Sequence, residues 1–226
     1  MTRSARIVAV GVPHHITQRG NCRQTVFLDD DDYRFYLGTL LAQSRKWALQ
    51  VHAYCLMSNH VHIVATPLNA DSLAKAVGRT HYRFAVVANR AYGRSGHLWQ
   101  NRFYSCALGS GDYVLAAIRY VECNPVRAGL VERAWDYPWS SAAAHLSGKD
   151  ASGLLDMKRW RNWTHHVDWR ARLGGEDSEE YLAQVRRATG SGRPFADDDF
   201  IARLEKHLGK ELRPKSVGRP KGIDLK

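Results

Sequence analysis

Cysteine is scarce and scattered: Cys22, Cys55, Cys106 and Cys123 are the only four in 226 residues, and no two form a C-x-x-C pair. That spacing argues against a zinc knuckle and against a disulfide framework. No uninterrupted apolar run approaches the ~20 residues that a membrane-spanning helix needs. The first 15 residues carry no apolar core of a secretory signal. Acid is also in deficit, with 22 Asp and Glu against 33 Lys and Arg, a formal net charge of +11. Arg supplies 24 of those cations and Lys 9. The planar guanidinium fork suits phosphate, so the excess points to polyanions. Hydrophobic residues at 44% and charged residues at 24% fit a globular chain and exclude a wholly disordered one. These absences lead to the expectation of a cytoplasmic, basic protein with no membrane partner.

Hydrophobic periodicity gives an ordered series of elements. Pro13 to Arg19 reads as a short strand closed by Gly20-Asn21. Asp29 to Asp32 precede a helical stripe of Tyr33, Tyr36, Leu37, Leu40 and Leu41. Leu49 to Leu56 and His60 to Thr66 are β-rich runs joined at Met57-Ser58-Asn59, as in a hairpin. Leu73, Ala76, Val77, Thr80, Phe84, Val87 and Ala88 recur at helical spacing, and Leu98 to Tyr104 offers a further strand. Asp112 to about Cys123 reads as a helix stopped by Asn124-Pro125. The order predicts an α+β fold: a ferredoxin-like βαββαβ antiparallel sheet with helices on one face. Residues 1–145 are expected to form this domain. Residues 146–226 are expected to form a smaller helical region with a basic tail.

Four features carry candidate chemistry. In a strand, His60 and His62 project from one face while Val61, Ile63 and Ala65 take the other. Two neutral imidazoles at this spacing can hold a divalent metal, although a pair leaves the site incomplete, and a solvated strand face would show the same pattern. On the following helix Tyr120 and Asn124 are neighbours one turn apart, off the stripe of Val114, Ile118 and Val121. Packing and helix termination would equally account for them. Residues 72–111 contain no Asp or Glu but carry Lys75, Arg79, Arg83, Arg90, Arg94 and Arg102 among Tyr82, Phe84, Tyr92, Trp99, Phe103 and Tyr104. Cations that track phosphates and aromatic faces that stack bases suit single-stranded nucleic acid, with some of the aromatics going to the core. Finally, Gly218-Arg219-Pro220-Lys221 resembles an AT-hook core, in which Arg219 would enter a narrow minor groove.

Longer ordered stretches carry a resemblance. They are Pro13 to Asn21, Tyr54 to His62, Gly93 to Phe103, Arg119 to Val131 and Tyr137 to Ser141. Over most of residues 7–145 the chain resembles the REP-associated tyrosine transposases, single-tyrosine HUH transposases of the IS200-like superfamily. Ser58 departs from the Pro found in many relatives, and nothing at the catalytic positions is missing. The resemblance implies a ferredoxin-like domain that cuts and rejoins single-stranded DNA beside hairpins of palindromic repeats. By motif, His60 and His62 take the metal-ligand positions, Asn124 the third ligand and Tyr120 the nucleophile. Arg79, Arg83, Arg90, Arg94, Trp99, Arg102 and Arg219 become the expected DNA contacts, with a cytoplasmic place at the nucleoid.

Elementary chemistry agrees with that carry-over. An ordinary phenol keeps its proton until about pH 10, so a tyrosine nucleophile needs a cation or base nearby. Mg²⁺ or Mn²⁺ suits nitrogen and oxygen donors and would polarise the scissile phosphate. Two other classes stay open from sequence: a DNA-binding regulator of repeats that does not cut, and a metal-dependent hydrolase using water. The hydrolase lacks an evident carboxylate base, because Glu122 at i+2 from Tyr120 faces elsewhere. Monomer and homodimer are both compatible with the sequence.

Overall fold

The computed structural model describes residues 6–213, so the AT-hook-like segment with Arg219 lies outside the described residues. Four strands form one antiparallel sheet: β1 His14–Arg19, β2 Leu49–Met57, β3 His60–Pro67 and β4 Tyr104–Ala107. Their spatial order is β2-β3-β1-β4, which is what two interleaved β-α-β units produce. The β2–β3 hairpin turns at Ser58-Asn59 and pairs Met57 with His60, and β1 lies beside β3 with Thr17 opposite His62. Gly20 ends β1 against its own chain: a Cβ there would stand 2.4 Å from the Gln24 carbonyl oxygen. Only glycine fits so close an approach.

Alternation within each strand splits the core in two. Ile16, Val51, Leu56, Val61, Ile63 and Ala65 meet α1 (Asp30–Lys46) and α2 (Gly78–Ala91) through Tyr36, Leu40 and Phe84. The Asp29 carboxylate accepts from the Asp32 amide at 3.0 Å and caps α1, with three further acids in the first turn. Leu73–Val77 forms a wider helical turn that leads into α2. Ala53, Cys55, Val64, Cys106 and Leu108 line the other face and meet α3 (Asp112–Glu122) through Val114, Ile118 and Val121. The expected placement of helices on one face thus holds for α1 and α2. The helix α3 lies on the opposite face, because its Val114–Ile118–Val121 stripe covers an apolar sheet surface that would otherwise meet water.

Beyond α3 the chain covers that second face as far as Phe195, and Leu204 then packs with Ala9 and Ala107 in a separate cluster. α4 (Asn124–Arg127) follows directly, then α5 (Ala142–Ser147), α6 (Met157–Thr164), α7 (Trp169–Gly174), α8 (Glu179–Ser191) and α9 (Asp198–Leu208). The expected division near residue 145 falls within α5, and Trp160, Trp169, Leu173, Leu182 and Val185 share one buried cluster with the sheet. The last strand shifts from expectation. Leu98 to Phe103 is an irregular segment, with Asn101 at φ 56°, and β4 begins only at Tyr104. Leu98, Trp99 and Phe103 are buried as plugs beneath α2, which accounts for their apolar character without a strand.

Candidate active site

Three imidazoles and a phenol converge where β1, β3 and α3 meet. His60 and His62 share a face of β3, as the alternation predicts, with ring centroids 5.0 Å apart. His15, on β1, stacks on His62 at 5.2 Å. The Tyr120 ring stands edge-on to both, 5.7 Å from His15 and 5.8 Å from His62. Together with Gln18, Arg19, Gln100, Tyr104, Arg186 and Thr189 they line a cavity of about 360 Å³. None of its lining residues is an Asp or Glu. Two arginines and no counter-charge make the cavity attractive to an anion.

Hydrogen bonds fix several of these groups. Asn59 donates its amide nitrogen to the Arg23 carbonyl at 3.3 Å, which leaves its Oδ1 for the His60 Nδ1, 2.6 Å away. Since Oδ1 can only accept, His60 carries its proton on Nδ1 and keeps the Nε2 lone pair free. Burial, helped by Arg19, holds His60 at about 4. Burial also pushes His62 well below the ordinary histidine value, with His15, His60, Arg127 and Arg19 adding to the effect. Both are therefore neutral near pH 7, the form in which imidazole ligates a metal. The donor chemistry of this pair fits a divalent ion. Among the described residues, no group of three or more His, Cys, Asp or Glu stands ready to hold one, so any further donor must be an amide, a solvent molecule or a phosphate.

Asn124 lies next to Tyr120, as its spacing predicts. Its carboxamide nitrogen donates to the Tyr120 and Val121 carbonyls at 3.1 and 3.2 Å, which caps the end of α3. Asn124 is not among the residues lining the cavity. Arg127 covers the Tyr120 ring, its Cζ 4.4 Å from the centroid, donates to the Tyr120 carbonyl and pairs with Asp177 at 2.9 Å. Glu122 faces away from the cavity, as expected. Its carboxylate accepts from Ser141 at 2.5 Å and Trp169 at 3.0 Å and lies 2.6 Å from His145 Nδ1.

The expected DNA contacts divide. Arg79, Arg83 and Arg90 are exposed on α2, which packs on the sheet face opposite Tyr120. Arg94 follows α2, also exposed, and reaches the Thr25 carbonyl at 3.4 Å. Arg102 is exposed beside Tyr104 and Arg6, in a second cleft that meets the Tyr120 cavity at Tyr104 and Gly190. Trp99 is buried and donates its indole N–H to the His81 carbonyl at 2.9 Å, so its ring is committed to the core. Sequence reasoning passed over His15, Gln18, Arg19, Gln100, Arg186 and Thr189. The alternation of β1 puts His15 and Arg19 on one face and would have found them. Arg186 and Thr189 sit on α8, whose place against the sheet no local pattern reveals.

Comparison with known proteins agrees with this geometry. The family model described as "Transposase IS200 like" matches residues 10–124, which include β1 to β4, both β3 histidines, Tyr120 and Asn124. A Haemophilus influenzae protein that carries the provisional name REP-associated tyrosine transposase is 27% identical over 120 residues, covering 47% of this chain and 68% of that protein. The solved structure of a REP-associated tyrosine transposase bound to a REP hairpin superposes with a TM-score of 0.56 at 20% identity, covering 70% of this chain and 90% of that one. A Deinococcus radiodurans R1 protein, provisionally named a transposase, covers 53% of this chain at 20% identity with a TM-score of 0.36, too low to bear on the argument. The match over half the chain, with its residues gathered in one cavity, places this protein in the family of IS200-like transposases.

Proposed function

We propose that this transposase cleaves and rejoins single-stranded DNA at the foot of repetitive palindromic hairpins, through a 5′-phosphotyrosine on Tyr120. The observation that carries the reading is the convergence of Tyr120, His60 and His62 on one cationic cavity. The Tyr120 oxygen attacks the scissile phosphorus, forming a P–O bond to the phenol and breaking the bond to O3′. The departing 3′-oxygen takes a proton and leaves as a hydroxyl. In the reverse step a 3′-hydroxyl from another strand attacks, the P–O bond to Tyr120 breaks, and the phenol regains its proton. The phosphotyrosyl ester conserves bond energy, so rejoining needs no nucleotide cofactor.

Residues in and beside the cavity divide the work of this scheme. His60 and His62 would hold Mg²⁺ or Mn²⁺ through neutral imidazole nitrogens, with the Asn124 carboxamide oxygen as the third protein donor, since only its nitrogen is engaged at the helix end. Such an ion, when bound, would supply Lewis-acid stabilisation of the charge that develops on the phosphate. Arg19 and Arg186 meet the phosphates, and Arg127 over the Tyr120 ring holds the phenol in place. The Tyr120 phenol stands in the cavity as a nucleophile and no carboxylate lines it to serve water as a base, which favours covalent transfer over hydrolysis. We place this activity in the cytoplasm, at the nucleoid.

The test is a labelled single-stranded oligonucleotide carrying a repeat hairpin, incubated with the protein and Mn²⁺ and resolved on a denaturing gel. Cleavage should be accompanied by a slower band of protein joined to DNA. Cleavage without that band would replace transfer by hydrolysis, and binding without cleavage would leave a repeat-binding regulator.

A further inference from the structure

A chain of hydrogen bonds runs from α8 through His15 to the Nδ1 of His62. The hydroxyl of Thr189, buried on α8, donates to the Val185 carbonyl one turn back at 2.8 Å. A hydroxyl has one proton, so the same oxygen can only accept from the His15 Nδ1, 2.9 Å away. His15 then carries its proton on Nδ1, and its Nε2, 2.9 Å from the His62 Nδ1, can only accept. His62 must in turn be protonated on Nδ1, which leaves its Nε2 lone pair bare. Reversing every donor would place the His62 proton on Nε2, where it blocks ligation. The choice between the two states is made at Thr189.

We infer that Thr189 and His15 are positioning residues that hold His62 in its metal-binding tautomer, so that helix α8, outside the matched family segment, completes the active site. The inference rests on the reading of His62 as a metal ligand. The fold holds Thr189 firmly enough for this. Val185 and Leu182 anchor α8 in the core. Beyond its end, Phe195 donates its amide to Ala107 and accepts from Gly109, each at 2.8 Å, which ties the helix terminus to β4. Thr189 and His15 are themselves buried, so water does not compete for either bond. Partners that orient a ligating imidazole are commonly worth about 10–100-fold in metal affinity.

The experiment compares full-length protein with Thr189→Val, Thr189→Ser and His62→Ala. Long-range ¹H–¹⁵N correlation spectra of the metal-free protein report which nitrogen of His62 is protonated, and electron paramagnetic resonance reports Mn²⁺ affinity. The unaltered protein and Thr189→Ser should both show the proton on Nδ1 and the same affinity. Thr189→Val keeps the shape but cannot accept from His15, so the His62 proton should move to Nε2 and Mn²⁺ binding should weaken at least about tenfold. A His62 proton on Nε2 in the unaltered protein overturns the inference. So does a Thr189→Val protein with unchanged spectrum and affinity, while loss of Mn²⁺ in His62→Ala would leave the metal reading standing. Mn²⁺ binding indifferent to His62→Ala, or absent from the unaltered protein, overturns the metal reading and the inference together.

Discussion

The two faces of the sheet are built from the same strands and serve different ends. Toward α1 and α2, β1 and β3 present Ile16, Val61, Ile63 and Ala65, all fully buried among aromatic rings. Toward α3 and α8 the alternate positions present His15, His60 and His62 around a cavity. A strand two side chains wide thus carries stability on one side and chemistry on the other, and a shift of one residue would exchange them. The separation lets a polar, incompletely packed site exist beside a dry core without weakening it. Adjacent residues should therefore fail in different ways.

The largest effects test that separation directly. Tyr120→Phe keeps the ring against His15 and His62, so the fold and Mn²⁺ binding should survive while the covalent adduct vanishes. An adduct persisting in this variant would move the nucleophile elsewhere, with Tyr113 the next candidate on α3. His62→Ala should also lose the adduct, with partial return at high Mn²⁺ because His60 still ligates. Its neighbour Ile63→Ala should cost about 2–5 kcal/mol in urea unfolding, the usual range for a buried aliphatic truncated to alanine. Adduct yield per folded Ile63→Ala molecule should stay at its normal level. A specific loss of chemistry there would break the division between faces.

On the chemical face, one polar cluster is structural. Glu122 is fully buried and accepts from Ser141 and Trp169, with His145 alongside. Glu122→Ala strands those partners without an acceptor and should destabilise by about 3–5 kcal/mol. Glu122→Gln retains an acceptor and should lose less. If Glu122→Gln instead abolished cleavage in a stable protein, the cluster would belong to the chemistry.

Buried histidines also lie outside the cavity, and they add to the acid limit that the cavity histidines impose. Burial holds His14 and His52 at about 4 and His81 at about 3. Their folded values lie below the roughly 6.5 of an unfolded chain, so the unfolded state binds more protons as pH falls. Stability from these groups is complete above about pH 6.5 and declines below it, by about 1.4 kcal/mol per pH unit for each histidine. Urea unfolding at pH 7 and pH 5 should show that loss. His81→Gln should make the dependence shallower by one proton, and a stability unchanged between the two pH values would contradict the burial argument.

Much of this was legible in the sequence because the informative signals are local. Alternation in β3 gave His60 and His62 a shared face, the β2–β3 turn fell at Ser58-Asn59, and spacing put Asn124 beside Tyr120. What escaped depends on contacts distant in the chain. Leu98, Trp99 and Phe103 look like a strand, yet they fill space under α2 from an irregular loop. The short helices α6 and α7 are fixed by Trp160 and Trp169 meeting across the chain at 4.8 Å, not by their own periodicity. Thr189 has no local signature at all, since its role exists only where α8 crosses β1.

The smallest expected effects concern the arginines, where sequence and structure diverge most. The acid-free stretch suggested one continuous DNA surface, but α2 carries Arg79, Arg83 and Arg90 behind the sheet, away from Tyr120. Arg19 and Arg186, which no composition argument singled out, border the cavity instead. A short single strand filling the cavity should feel only the second pair. Each phosphate contact contributes about 0.7 to the slope of log affinity against log salt for single strands. Arg19→Ala and Arg186→Ala should therefore each lower that slope by about 0.7, whereas alanine at Arg79, Arg83 and Arg90 together should leave it unchanged. With a hairpin stem attached, the α2 variant should lose slope as well if the duplex wraps past the sheet edge toward Arg94. Equal losses from both groups on the short strand would mean that DNA crosses both faces from the start, and that the division between faces stops at the protein's surface.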